Sequence, residues 1–247
     1  MTQSFNTHST EGTRILVAED DLVTRLVLKK MLEKEGYHAH FVNDGQEALD
    51  ALKQKDYDLV LMDCFMPRLD GFAATRMLRR STTDGLDPKI PVIAMTGLTA
   101  EADRERCMDA GMDDHIGKPV NVDELVAVIE KCLGGSTSTA DASQARVSPA
   151  SPAWDGDFLD SLIEKFAAEI PDVVDSLRHA VEGNDLAGLE RLGHRLRGAS
   201  DILDIHSLST RSQALESAGK AGDIQQAERI ASDLVMELQK MAAALKC

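Results

Sequence analysis

Four short apolar runs each lead into a residue that can do chemistry. Ile15-Leu16-Val17-Ala18 runs into Glu19-Asp20, Leu59-Val60-Leu61-Met62 into Asp63, and Pro91-Val92-Ile93-Ala94-Met95 into Thr96. A fourth run, around Ile116, stops just short of Lys118. Runs of this length and β-branched content suit strands buried on both faces. In an open parallel sheet the C-terminal strand ends converge on one crevice, where ligands bind. Clustered carboxylates there suit a hard cation such as Mg²⁺. A nearby amine and hydroxyl suit the oxygens of a phosphoryl group.

The segments between the runs alternate in type. Strands fall at about 14–19, 38–42, 58–62, 91–95 and 113–116. Helices fall at about 22–35, after Asp44-Gly45, and at about 71–80, 99–110 and 121–133. Gly36 stops the first helix. Asn121 with Glu124 three residues later opens the last one as a capping box, and Gly134-Gly135 closes it. Five strands alternating with five helices imply a parallel sheet covered on both faces.

Length and charge narrow the options. The 247 residues suit one or two domains, and the net charge of −15 is shared. Residues 1–154 hold 17 basic and 25 acidic residues, and residues 155–247 hold 10 and 17. Neither part carries the basic footprint of a nucleic-acid binder. The four cysteines (64, 107, 132 and 247) lack metal-ligand or disulfide-framework spacing, so a reducing cytoplasm is the simplest setting. No apolar run approaches membrane-spanning length, and the N-terminus lacks a signal-peptide core.

With these residues in view, V-A-E-D-D, L-V-L-M-D-C-F-M-P-R-L-D-G, P-V-I-A-M-T-G and D-D-H-I-G-K-P resemble, in order, the receiver domain of two-component response regulators. The resemblance covers about residues 13–133. It implies a flavodoxin-like α/β fold with sheet order 2-1-3-4-5 and a phosphoacceptor at Asp63. Asp20 would bind Mg²⁺ directly and Glu19 through water, with Asp63 and the Phe65 backbone carbonyl completing the protein ligands. Asp21 follows the acid pair and is not counted as a ligand. Lys118 and Thr96 would serve the phosphoryl oxygens, and Lys118-Pro119 would be a cis peptide that aims the lysine inward. The chemistry is coherent by itself. A carboxylate attacks a phosphoryl dianion poorly, and Lys118 with Mg²⁺ neutralises the incoming oxygens.

Each residue also has a plainer account. Glu19-Asp20-Asp21 could cap the first helix, Asp63 could be a strand-end turn residue, and Thr96-Gly97 could be a turn. Their order along one sheet edge favours the functional account. His115 stands where the family usually has Tyr or Phe, three residues before Lys118. It is either a ring switch with altered hydrogen bonding and a pH response, or a surface residue of the last strand. A haloacid-dehalogenase-type phosphatase would want a second Asp two residues after Asp63, where this chain has Phe65.

Residues 1–12 read as a disordered arm and residues 134–153 as a flexible linker rich in Gly, Ser, Thr, Ala and Pro. Twenty such residues span roughly 25 Å r.m.s.. From residue 154 to 247 only helical periodicity appears, with helices at about 155–168, 171–182, 185–203, 206–219 and 223–245. Pro171 suits a helix first turn. Asp185 and Asp223 suit N-caps, and Gly183 and Gly222 suit breaks. Short connections imply antiparallel neighbours in an all-α bundle.

On the helix at 185–203, Leu189, Leu192, Leu196, Ala199 and Leu203 form one stripe, the expected core face. His194 falls on the opposite side, so its imidazole is expected to face solvent. Gly198 lies one turn further along, with Arg197 and Asp201 flanking. Gly inside a helix costs about 1 kcal/mol relative to Ala, and close approach by a partner protein would account for it at Gly198. Arg197 is placed to attract a phosphoryl group.

H-R-L-R-G-A-S (194–200) in an all-helical setting resembles the histidine phosphotransfer (HPt) domain of phosphorelays. That family usually has Lys at the place of Arg197 and often Gly at the place of Asp204. The resemblance implies that His194 accepts and donates phosphoryl groups. Together the two halves imply a phosphorelay protein. A histidine kinase phosphorylates Asp63 upstream, and a receiver or HPt domain, in this chain or a partner, exchanges the group. There is no ATP-binding motif, kinase dimerisation segment or DNA-binding half, so the chain reads as neither a complete kinase nor a transcription factor. Met1 and the polar arm favour a free-standing protein over the C-terminal piece of a hybrid sensor kinase. A phosphorylation-switched scaffold that masks or exposes His194 is the alternative.

Overall fold

The computed structural model describes residues 12–82, 85–97, 101–134 and 154–245, with residues 101–103 by backbone alone. The expected arm lies outside the described residues except for Gly12, and the expected linker except for Gly134.

In the first unit five strands form one parallel sheet: β1 Arg14–Ala18, β2 His38–Val42, β3 Leu59–Asp63, β4 Val92–Thr96 and β5 Asp114–Gly117. The strand order is β2-β1-β3-β4-β5, as expected. The intervening helices are α1 Leu22–Lys34, α2 Gly45–Gln54, α3 Gly71–Arg80, α4 Glu101–Ala110 and α5 Val122–Cys132. Leu16, Ala18, Val60, Met62, Val92 and Ala94 share one cluster with residues of α2, α3 and α4. The alternate residues Ile15, Val17, Leu59, Leu61 and Ile93 are equally buried, so both sheet faces are covered. That double burial explains why the central strands read as continuous apolar runs rather than alternating ones.

Helix ends follow local chemistry. Asp44 and Asp70 cap α2 and α3 by accepting from Glu47 N and Ala73 N. The Asn121 carbonyl oxygen accepts from Asp123 N and Glu124 N at the start of α5. Gly36 and Gly134 take positive φ at the ends of α1 and α5.

The second unit is helical: α6 Gly156–Glu182, α7 Leu186–Ile202, α8 His206–Ala221 and α9 Ile224–Ala244. One expectation is corrected here. The segments 155–168 and 171–182 are a single helix, with Pro171 in its interior. Pro171 lacks the N–H that would bond one turn back, a cost of about 3 kcal/mol in a helix interior. The buried stripe Leu162, Phe166, Ile170, Val174 and Leu177 runs unbroken past it, so core packing carries the helix through. Asp185 and Asp223 are N-caps as expected. After α6 the left-handed residue is Asn184, not Gly183; after α7 it is Asp204. Leu189, Leu196, Leu208, Leu215, Leu234 and Leu238 fill the bundle core.

Candidate functional site

The strand ends bring the predicted groups together. Glu19 follows β1, Asp63 closes β3, Thr96 closes β4, and Lys118 directly follows β5. Register carries this across the sheet, since Asp63 pairs with Met95 and Thr96 with Gly117. Lys118 N donates to Thr96 O at 2.8 Å. The Lys118-Pro119 peptide is cis, as the resemblance implied.

The Lys118 ammonium lies 2.7 Å from Glu19 Oε2 and 2.9 Å from Asp63 Oδ2. Glu19, Asp63 and Thr96 are buried, and Asp20 is half-buried. Burial alone would lower the Lys118 pKa. The adjacent charges of Asp63 and Glu19, and the bonds to them, more than offset that and raise it above the usual lysine range. The lysine is therefore a fixed cation. Ligand atoms of Glu19, Asp20 and Asp63 all lie within 4.8 Å of one another. The three carboxylates offer hard oxygen donors. That donor set fits a divalent cation of the Mg²⁺ class.

Asp21 does something else. Its Oδ1 accepts from Thr24 N and Thr24 Oγ1, both at 2.7 Å, which caps α1. Phe65 N lies 3.3 Å from Asp63 Oδ1, and the Phe65 ring meets Phe72 edge-on at 5.9 Å. His115 is partly exposed on the edge strand β5, with Nδ1 3.6 Å from Asp114 Oδ1.

Sequence reasoning missed the tightness at Gly71. A Cβ there would sit 2.1 Å from the Asp63 carbonyl oxygen and 2.9 Å from Met62 Cγ. The start of α3 thus presses directly on the backbone of Asp63. The D-G pair of the motif was the available signal.

On α7 the structure corrects the expected exposure of His194, which is buried at 5% exposed. A helical wheel grants α7 one packed face, but Glu216 of α8 also reaches the side that carries His194. A Cβ at Gly193 would meet Glu216 N at 2.6 Å and Ser212 O at 2.8 Å, so α8 packs directly on Gly193. Beside that contact, Glu216 Oε1 lies 3.4 Å from His194 Nδ1 and Glu216 Oε2 lies 3.1 Å from Arg197. Lys220 donates to Glu216 Oε1 at 2.7 Å. Burial pushes the Glu216 carboxyl up. The bonds from His194 and Lys220, and the charges of His194 and Arg197, outweigh it and bring the pKa to about 2. No atom of α6, α8 or α9 lies within 4 Å of a Cβ built at Gly198. Glu216 had no sequence signal, because its partners sit on another helix.

Comparison with known proteins gives a family for each half of the chain. Residues 15–130 match the family model of the response regulator receiver domain, and residues 161–246 match that of the Hpt domain. The chain is 34% identical over 157 residues to Histidine kinase 1 of Arabidopsis thaliana, across 50% of this chain and 13% of that protein. It is 44% identical over 125 residues to Histidine protein kinase 1 of Candida albicans, across 48% of this chain and 5% of that one. A solved receiver domain of a Pseudomonas aeruginosa sensor histidine kinase, crystallised with magnesium in its active-site cleft, is 38% identical. The match covers 50% of this chain and 98% of that one, with a TM-score of 0.46. The matched stretch is thus a small part of either curated kinase. Among the described residues no helix is long and apolar enough to cross a membrane.

Proposed function

We propose that this chain, a response regulator receiver domain followed by an Hpt domain, relays phosphoryl groups through Asp63 and His194. An upstream histidine kinase supplies the group to Asp63. The group then passes to a histidine, either His194 of this chain or one in a partner Hpt domain. His194 in turn exchanges with the receiver aspartate of this chain or a partner. The observation that carries this reading is the Lys118 ammonium held between Glu19 and Asp63 inside an acid cluster at the strand ends.

The chemistry follows from that arrangement. Asp63 Oδ attacks phosphorus in line as the bond to the donor imidazole nitrogen breaks, and the imidazole leaves neutral after taking a proton. Lys118 offsets the charge of the nucleophile and of one equatorial oxygen. Thr96, one residue past the partner of Asp63 on β4, offers a hydroxyl to another. A divalent cation held by Glu19 (through water), Asp20, Asp63 and the Phe65 carbonyl would supply the remaining positive charge. Gly71 keeps α3 against the Asp63 backbone and so fixes the nucleophile. On α7, a carboxylate facing His194 Nδ1 holds the proton there and leaves the lone pair on Nε2 to attack. Arg197 supplies charge beside the imidazole, and Gly198 leaves that turn without a side chain. His115 is assigned to the edge of the receiver site and Pro119 to the turn that aims Lys118. The donor kinase uses ATP, which puts the exchange in the cytoplasm.

The test is to incubate purified wild type, Asp63→Asn and His194→Gln with acetyl phosphate and Mg²⁺, then separate phosphoaspartate from phosphohistidine by acid and alkali stability. Wild type should carry both forms and Asp63→Asn neither. His194→Gln should carry phosphoaspartate alone. Phosphorylation of Asp63→Asn at the wild-type level would sink the reading.

A further inference from the structure

Two cysteines lie beside the phosphoacceptor and take no part in the chemistry above. Cys64 directly follows Asp63 at the end of β3, and Cys107 sits on α4. Both are buried, and their sulfurs are 3.8 Å apart. Their separation of 43 residues hid this in the sequence. Met62, Met66, Phe72, Ala110 and Met112 share their cluster, which is apolar. A metal does not account for the pair. Among the described residues, the one group of His, Cys, Asp and Glu close enough to hold an ion is Glu19, Asp20 and Asp63.

We propose that Cys64 and Cys107 are a dithiol modification site that a peroxide-class oxidant converts to an intramolecular disulfide, and that this bond slows phosphoryl uptake at Asp63. The peroxide O–O bond breaks as one oxygen joins the first sulfur, giving a sulfenic acid and one water. The second sulfur then attacks the first. The S–S bond forms, the S–O bond breaks, and the hydroxyl leaves as a second water with the proton of the second thiol. Two thiols and one peroxide give one disulfide and two waters. The second step is fast because the partner sulfur is already in contact. The bond with Cys107 and then burial push the Cys64 thiol well above its ordinary range, which makes the first step slow, and burial admits only a small oxidant, so hydrogen peroxide is the suitable probe.

The consequence for Asp63 rests on the phosphoacceptor reading; formation of the disulfide does not. An S–S bond of about 2.05 Å requires the sulfurs to close by roughly 1.8 Å from their 3.8 Å separation. The strand end resists that movement. Cys64 N donates to Met95 O at 3.3 Å, Cys64 O accepts from Gly71 N at 3.2 Å, and Gly71 has no spare room. Cys64 stands between the nucleophile Asp63 and Phe65, whose carbonyl is a proposed ligand. Displacement there moves both groups, and misplacement by about 1 Å can cost on the order of 100-fold in rate.

The experiment uses the full chain. Wild type, Cys107→Ala and Cys64→Ala are treated with hydrogen peroxide, denatured and alkylated, then mapped by mass spectrometry without reduction. In wild type, two of the four thiols should become unreactive and one peptide should link positions 64 and 107. In Cys107→Ala, Cys64 should accumulate as sulfenic acid trapped by a dimedone-type reagent, a species that wild type does not accumulate. Oxidised wild type should take phosphoryl groups from acetyl phosphate at least ten-fold more slowly, with dithiothreitol restoring the rate. Oxidation confined to Cys132 and Cys247, with positions 64 and 107 still alkylatable, would overturn the site. A linked peptide with an unchanged phosphorylation rate would overturn the regulatory effect and leave Asp63 as phosphoacceptor untouched.

Discussion

Replacing Glu216 by Gln removes one negative charge and keeps the shape of the side chain. In the native bundle Glu216 faces His194, Arg197 and Lys220, and its carboxyl falls from the ordinary 4.5 to about 2. A depression of about 2.5 units at 1.36 kcal/mol per unit is worth about 3 kcal/mol. The carboxylate side chain is 3% exposed, so solvent screening takes little of that away. Between pH 4.5 and about 2 the unfolded chain holds a proton that the native chain has released. Native stability from this group therefore rises with pH through that window, is complete above it, and is lost as pH falls through about 2. Glu216→Gln lacks the whole contribution. Urea unfolding should show the variant less stable by about 3 kcal/mol near neutrality and by about 1 kcal/mol near pH 3. The single tryptophan makes the assay specific to the helical unit. Trp154 packs on Phe158 at 5.0 Å, so its fluorescence reports unfolding there and not in the receiver. Equal stability of wild type and variant at neutral pH, or a gap of the same size at both pH values, would refute the assignment of Glu216 as a carboxylate held by His194, Arg197 and Lys220.

Lys118→Met should abolish phosphorylation of Asp63 by acetyl phosphate while tightening Mg²⁺ binding measured by calorimetry, because an ammonium that competes for Glu19 and Asp63 is gone. Gly71→Ala forces a methyl into a space where the Asp63 carbonyl oxygen would lie 2.1 Å away. It should destabilise the receiver by about 2 kcal/mol or more in thermal unfolding and cut the phosphorylation rate. Asp204→Gly should stabilise the helical unit by up to about 1 kcal/mol in urea, because Asp204 holds φ at 57°, a conformation glycine adopts without the Cβ clash.

The receiver was largely legible in the sequence because both its sheet and its site depend on local pattern. Strands buried on two faces must be apolar throughout, so β3 and β4 announced themselves. Their C-terminal residues then had to share one edge, which puts Asp63, Thr96, Lys118 and the acid pair together on pattern alone. The helical unit was harder because its details depend on contacts between helices. Pro171 looked like a helix start, since the cost of an interior proline is visible in the sequence and the packing of Ile170 and Val174 that offsets it is not. The side of α7 that carries His194 looked empty for a similar reason. One helix in isolation has one apolar stripe, whereas α8 packs on a second side through Gly193, the glycine for which the wheel offered no account. Glu216, and the meeting of Cys64 with Cys107, are pairings across elements and leave no periodic trace.

The central claim is that phosphoryl groups enter at Asp63 and reach His194 from there. A quenched time course with labelled acetyl phosphate and Mg²⁺, following phosphoaspartate and phosphohistidine in wild type and Asp63→Asn, tests it most directly. The account predicts that phosphoaspartate rises first, that phosphohistidine follows with a lag, and that Asp63→Asn forms no phosphohistidine. Phosphohistidine that forms in Asp63→Asn as fast as in wild type would contradict it.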